Sequence, residues 1–437
     1  MSGLIGIFAF DELWNVSRIL YYGLLGLQHR GQENAGIATS NGETIQVFKG
    51  EGLVEQVFRE KILMELRGWY GIGAVSADPN DKQPVMVSDD SKQVALVFSG
   101  KILNKQELAA KYNVNTELID ADFVATCLLK EYSETRDFYE AGLNLVKNLR
   151  GISNIIAINN AGEMIVYRDE FGLKPLVVGS FGFDYGAFAS ESCAIDVIGA
   201  DLKGDVHPGE FYYLNQYTVE RKQVKEPRPK YCAYEYVYLA RPDSRINGVW
   251  IYDVRRKIGE ILAEKYRVDA DVVVGIPDTA IPFSMAYANK TNTPVELGFI
   301  STGRKIRTAI KPNQFERLIG VQLKLNPIKP VFRNKRVLII DDSVVRGTTT
   351  KNTVSLLRNR IGAKEVHIRV GSPRIVSGCP YGVEIPPEDE LIAAHLSEEE
   401  VATVVGADSF CWITNDDLVK AIGLRKENIC LKCFGGE

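Results

Sequence analysis

Through the first half of the chain the apolar residues fall into short runs broken by Gly, Asn and Asp. Leu4–Phe8, Val94–Phe98, Ile155–Ile158 and Leu176–Val178 are examples. Runs of this length, bounded by turn formers, predict strands. Longer stretches between them, such as Leu13–Leu27 and Asp122–Tyr132, are expected as helices. Residues 2–225 thus read as a sheet-rich α+β domain. The polar segment Lys222–Lys230, with two prolines, is expected to be the linker. Beyond it the rhythm changes to strand followed by helix. Val272–Gly275 precedes Ile276-Pro277-Asp278-Thr279 and a helix through about Lys290. Val337–Ile340 precedes Asp341–Gly347 and a helix over Thr348–Ile361, and Val366–Val370 supplies another strand. This alternation predicts a parallel sheet with crossover helices, an α/β domain over 226–437.

Bulk properties narrow the function classes. A chain of 437 residues is too long for one ordinary core, so two domains are expected. The formal charge is −4, from 52 basic and 56 acidic residues. That balance, with no helix-turn-helix or basic segment, argues against a nucleic-acid partner. No apolar stretch is long enough to span a membrane. The apolar start has no preceding basic residue and is ended by Asp11-Glu12, so no secretory signal is expected and a cytoplasmic location follows. In a reducing compartment Cys127, Cys193 and Cys411, each in an apolar stretch, are expected to be buried thiols. Cys430 and Cys433 form a C-x-x-C pair with metal-ligand spacing, and Cys232 and Cys379 are available to complete a four-thiol set.

The densest chemistry lies in V-L-I-I-D-D-S-V-V-R-G-T-T-T, residues 337–350. A buried strand delivers two carboxylates at its C-terminal end, where ligands bind in open α/β sheets. A Ser/Gly/Thr loop then opens a helix. Helix-start N–H groups and the hydroxyls of Ser343, Thr348 and Thr349 suit a 5′-phosphate, with Arg346 and Gly347 in the same loop. Asp341 and Asp342 suit two ribose hydroxyls and, with Thr279, a Mg²⁺ ion. The segment resembles the signature of type I phosphoribosyltransferases, which transfer ribosyl from phosphoribosyl diphosphate to a nitrogen nucleophile. Arg304, Lys305 and Arg307 are expected to form a cationic lid over the diphosphate.

Both halves together resemble the glutamine phosphoribosyl diphosphate amidotransferase family, which opens de novo purine synthesis. The matching blocks include Leu27–Glu33 (L-Q-H-R-G-Q-E), Ala189–Ser192 (A-S-E-S), Pro208–Glu210 (P-G-E), Glu235–Ser244 (E-Y-V-Y-L-A-R-P-D-S), Lys324–Asn326 (K-L-N) and Cys430–Gly435 (C-L-K-C-F-G). The resemblance implies an N-terminal-nucleophile hydrolase sandwich followed by a type I phosphoribosyltransferase. It also implies a structural 4Fe–4S cluster on Cys232, Cys379, Cys430 and Cys433, although four thiolates equally suit Zn²⁺.

Three blocks depart from the family where glutamine chemistry would sit. Ser2 stands at the nucleophilic Cys position. Ala74-Val75-Ser76-Ala77 replaces H-V-R-Y, whose Arg clamps the glutamine carboxylate. Phe98-Ser99-Gly100-Lys101 replaces H-N-G-N, which supplies the oxyanion hole. Asp120 is a relic candidate for the glutamine amino group. The expectation is a first domain that does not hydrolyse glutamine and a Ser2 that is not a working nucleophile. Milder departures fall in Thr302–Thr308 and in Val321–Asn326, which lacks one family Arg. The predicted activity is formation of 5-phosphoribosylamine from phosphoribosyl diphosphate and ammonia. The ammonia would come from solution or from a separate active glutaminase subunit or paralogue. The alternative is a non-catalytic partner of an active amidotransferase that binds phosphoribosyl diphosphate or nucleotides. A homo- or hetero-oligomer is expected in either case.

Overall fold

Continuous apolar strands need cover on both faces, and the first unit provides it by stacking two sheets. The computed structural model describes residues 2–89, 91–301 and 325–436. They divide into two units. Met1–Cys232, Asp243–Gly248 and Pro380–Val383 make the first; Ala233–Pro242, Val249–Cys379 and Glu384–Glu437 make the second.

In the first unit an antiparallel seven-stranded sheet places Ser2–Ala9 between Tyr185–Ala189 and Tyr70–Ser76, and the latter pairs onward with Asn34–Ser40. Every residue of Ser2–Ala9 is buried, which is why that stretch reads as one apolar run without alternation. A second, six-stranded antiparallel sheet has Gln93–Ile102 and Gly151–Asn159 near its centre. Leu4, Ile72, Val97, Ile156 and Val166 share the core between the sheets. Close approach there depends on Gly6, where a Cβ would lie 2.7 Å from Cγ2 of Ile156. Helix Ser17–Gly26 packs on the first sheet, while Asp120–Thr135 and Phe138–Asn148 cover the second. The unit is thus the expected sandwich of two sheets between helices.

Lys222 and Gln223, expected in a linker, instead end a strand, Thr218–Gln223, that pairs with Glu210–Asn215. All six of its side chains are exposed, so it carries no apolar signature.

The second unit holds a four-stranded parallel sheet in the order Val272–Gly275, Arg336–Asp341, Glu365–Val370, Ser409–Trp412. Helices Ile251–Lys265, Ile281–Thr291 and Thr348–Leu356 belong to the same unit. Val274, Ile339, Val354, Ile368 and Trp412 contribute to one core. The helix expected to reach Ile361 changes to a wider turn over Leu357–Ile361 and stops at Gly362, whose φ is 82°. Cys127 and Cys193 are buried as expected, but Cys411 is only half-buried because its strand lies at the sheet edge. Among the described residues no helix is long and apolar enough to cross a membrane.

Candidate active site

The β-favouring run Arg336–Asp341 ends with its acid pair at the C-terminal end of a parallel strand flanked by two others. The loop that follows closes on Gly347, at φ 72°, which is the N-cap of helix Thr348–Leu356. A left-handed φ here is easy for glycine and strained for other residues. The first N–H groups of such a helix have no intrahelical acceptor, and the helix dipole favours an anion beside them. Thr348 and Thr349 are exposed at this end.

Asp342 is buried and Asp341 half-buried. Burial and the adjoining Asp342 charge push the Asp341 carboxyl well above the usual carboxylate range. Burial also raises Asp342, while the hydroxyls of Thr279 and Ser343 and the Arg255 cation pull it back. Thr279 donates to Oδ2 of Asp342. Ser343 Oγ donates to Oδ1 of the same carboxylate at 2.7 Å. The structure therefore brings Thr279, Asp341, Asp342 and Ser343 together. Arg346 lies farther out, paired with Glu390 at the surface. Arg304, Lys305 and Arg307 lie outside the described residues, as do the altered block 302–308 and residues 321–324 of the block that ends at Asn326.

Buried Arg255 donates to the carbonyls of Tyr236 and Ala240, the latter at 2.6 Å. Sequence reasoning missed it, because a charged residue within helix Ile251–Lys265 reads as a solvated position. It also missed Tyr234, whose hydroxyl lies 3.2 Å from Ser343 Oγ.

The acid pair and Thr279 offer hard oxygen donors of the kind Mg²⁺ takes. Of the four candidate cluster thiols, Cys379, Cys430 and Cys433 belong to the second unit and Cys232 to the first. Burial, with Cys379 and Cys430 nearby, pushes the Cys433 thiol up to about 12. The donor type suits iron or zinc. Among the described residues, however, no three His, Cys, Asp or Glu side chains already converge as a metal site.

At the other end of the chain, Ser2 Oγ donates to Asp81 Oδ2 at 3.1 Å, and Ser76 Oγ donates to the same oxygen at 3.0 Å. Gln83 Nε2 donates to both Asp81 oxygens at 2.9 Å and also to the Phe98 carbonyl. Ser99 Oγ donates to the Ser2 carbonyl at 3.4 Å, and buried Lys174 donates to Ser99 at 3.2 Å. Ser2 and Ser76 thus meet on one carboxylate that the sequence reading did not single out, and the third departed block joins them through Gln83 and the Ser2 carbonyl. Asp120 starts a helix and is engaged by the Ile102 N–H at 3.1 Å and by Lys105 at 3.1 Å.

A glutamine amidotransferase domain model matches residues 73–197, and a phosphoribosyl transferase domain model matches residues 250–371. The amidophosphoribosyltransferase of Methanocaldococcus jannaschii is 38% identical, over all of this chain and 97% of that protein. That of Bacillus subtilis is 36% identical, over all of this chain and 93% of its own. The solved structure of the B. subtilis glutamine phosphoribosylpyrophosphate amidotransferase, complexed with ADP and GMP, superposes with a TM-score of 0.89 at 35% identity. The match covers all of this chain and 96% of that one. Sequence identity, length and fold agree along the whole chain, which belongs to the amidophosphoribosyltransferase family.

Proposed function

We propose that this chain transfers the phosphoribosyl group of phosphoribosyl diphosphate to ammonia, forming 5-phosphoribosylamine for purine synthesis, and that its first unit does not hydrolyse glutamine. The observation that carries the transferase reading is the acid pair of Arg336–Asp341 and its neighbour, followed by a hydroxyl-bearing loop and a glycine-capped helix.

In this reading Asp341 and Asp342 hold the two ribose hydroxyls, and their charge faces the cation that develops at C1 as the diphosphate leaves. Ser343, Thr348, Thr349 and the helix-start N–H groups hold the 5′-phosphate, with Arg346 and Gly347 shaping the loop. Thr279 sits at the diphosphate side. Mg²⁺, when bound, would offset charge on the leaving diphosphate, with Thr279, Asp341 and Asp342 as its protein donors. Ammonia attacks C1 and loses a proton to solvent as the C–N bond forms and the C–O bond to diphosphate breaks.

The proposal that glutamine is not hydrolysed draws support from Asp81. A hydroxyl replaces the thiol at Ser2, and a carboxylate lies beside it. A substrate α-carboxylate brought there meets a like charge and no Arg at position 76. Ammonia then comes from solution or from a separate active subunit, with which this chain would associate. The thiols Cys379, Cys430 and Cys433, with Cys232, are assigned to a structural 4Fe–4S cluster. Iron and acid-labile sulfide assays on anaerobically purified protein test that point, with zinc as the contrary result.

The activity test compares ammonium with glutamine as nitrogen donor, in the presence of Mg²⁺ and phosphoribosyl diphosphate. Product with ammonium alone is the expected result. Glutamine turnover that is lost on Ser2→Ala would overturn the glutaminase part. Failure with both donors, despite ligand binding, would overturn the transferase part.

A further inference from the structure

Within the second unit a tyrosine reaches the acid pair from behind. Tyr234 is buried, and its hydroxyl lies 3.2 Å from Ser343 Oγ. Ser343 has one hydroxyl proton, and that proton is committed to Asp342 Oδ1 at 2.7 Å. With Asp342 ionised, and so able only to accept, Tyr234 is the donor to Ser343. The result is a directed chain, Tyr234 to Ser343 to Asp342, closed on the other carboxylate oxygen by Thr279. Both Asp342 oxygens accept hydroxyl protons, which fixes the carboxylate plane next to Asp341.

The other side of Tyr234 faces the cysteine-bearing tail. Its ring lies 6.1 Å from that of Phe434, at 63°. The tail is itself anchored: the Cys433 carbonyl accepts from the Val376 N–H at 2.9 Å, and the Phe434 carbonyl accepts from Asn415 Nδ2 at 3.1 Å. Tyr234 is thus held on one side by an anchored aromatic and aims its proton at the loop on the other.

We propose that Tyr234 is a positioning residue for phosphoribosyl diphosphate, setting the orientation of Ser343 and Asp342 from its seat against the C-terminal tail. The inference rests on the phosphoribosyl reading of the loop. Without the tyrosine proton the Ser343 oxygen is held only by its own bond to Asp342, and the ligand must complete its ordering on binding.

The test is calorimetric titration of the full chain with phosphoribosyl diphosphate and Mg²⁺. Tyr234→Phe keeps the ring against Phe434 and removes only the hydroxyl. It should weaken binding roughly fivefold to tenfold, the usual worth of one such hydrogen bond, with the thermal midpoint nearly unchanged. Ser343→Ala cuts the same link from the other side and should cost at least as much. Adding Tyr234→Phe to Ser343→Ala should cost nothing further, a non-additivity that a merely structural tyrosine would not give. Unchanged affinity in Tyr234→Phe, or an equal loss with and without Ser343, overturns the inference while leaving the site reading intact. If the native chain itself fails to bind the ligand, the site reading falls, and this inference with it.

Discussion

Three side chains that read as losses in the sequence, Ser2, Ser76 and Ser99, become one polar network once Asp81 is placed among them. Restoring the thiol therefore does not restore the site. Ser2→Cys alone is expected to release no glutamate from glutamine, because the carboxylate clamp is still absent. Adding Ser76→Arg and Asp81→Ala supplies a cation and removes the opposing charge, so any recovered turnover should appear only in the triple variant. A glutaminase assay decides it, and turnover by Ser2→Cys alone would contradict the charge argument. The acid pair of the second unit makes a different prediction. Burial raises both carboxyls, and it carries Asp341, beside the Asp342 charge, well above the usual range. A raised acid binds its proton more tightly folded than unfolded. Its favourable contribution is therefore present in acid and is lost as pH rises past the usual carboxylate range. Asp341→Asn should then raise the ligand-free thermal midpoint at pH 7, by about 2–4 °C for each kcal/mol gained in a domain of this size. At about pH 4, where the native carboxyl is already largely protonated, the gain should vanish. The same variant should lose phosphoribosyl diphosphate binding, a stability–function exchange common at ligand sites.

At the scale of single elements, helix Thr348–Leu356 depends on how it starts. Gly347→Ala places a Cβ in the left-handed region, which costs roughly 1–2 kcal/mol. That Cβ would also come 2.6 Å from Cδ1 of Ile392, a flexible end that can move aside. Gly406 caps helix Glu398–Val405 at φ 80° and is the natural control, since its Cβ would meet nothing closer than 3.8 Å. Both variants should lose similar stability in urea unfolding, but only Gly347→Ala should weaken ligand binding. Elements of this kind were legible in the sequence because their signals are local. Val337–Ile340 is β-branched and Leu-rich, the acids follow at once, and glycine precedes the helix. Ser409–Trp412 was not singled out, since four residues are too few for an alternating pattern to separate a strand from a helix. Asp81 and Tyr234 were missed for another reason. Asp81 sits in a turn 79 residues from Ser2, and Tyr234 lies 109 residues from Ser343. Contacts made only by the tertiary fold leave no mark in spacing or composition.

For the molecule as a whole, the decisive question is how nitrogen reaches the transferase, and the pH profile of the reaction answers it. The nucleophile is NH₃, because ammonium has no lone pair. At fixed total ammonium the free NH₃ concentration rises about tenfold per pH unit while the pool remains mostly protonated. If the chain takes NH₃ from solution, the initial rate of phosphoribosylamine formation should climb with a log slope near one between about pH 6.5 and 8.5. The acid pair does not flatten this rise once Mg²⁺ and the ribose hydroxyls reach it, because a cation and hydroxyl donors favour its ionised form. A partner glutaminase changes the expectation, since hydrolysis delivers nitrogen already unprotonated. With glutamine and such a subunit present, the slope should fall toward zero while the ammonium-driven slope stays near one. A flat profile with ammonium alone would contradict the solution route. It would mean that the chain captures the ammonium cation and strips its proton with a group of its own.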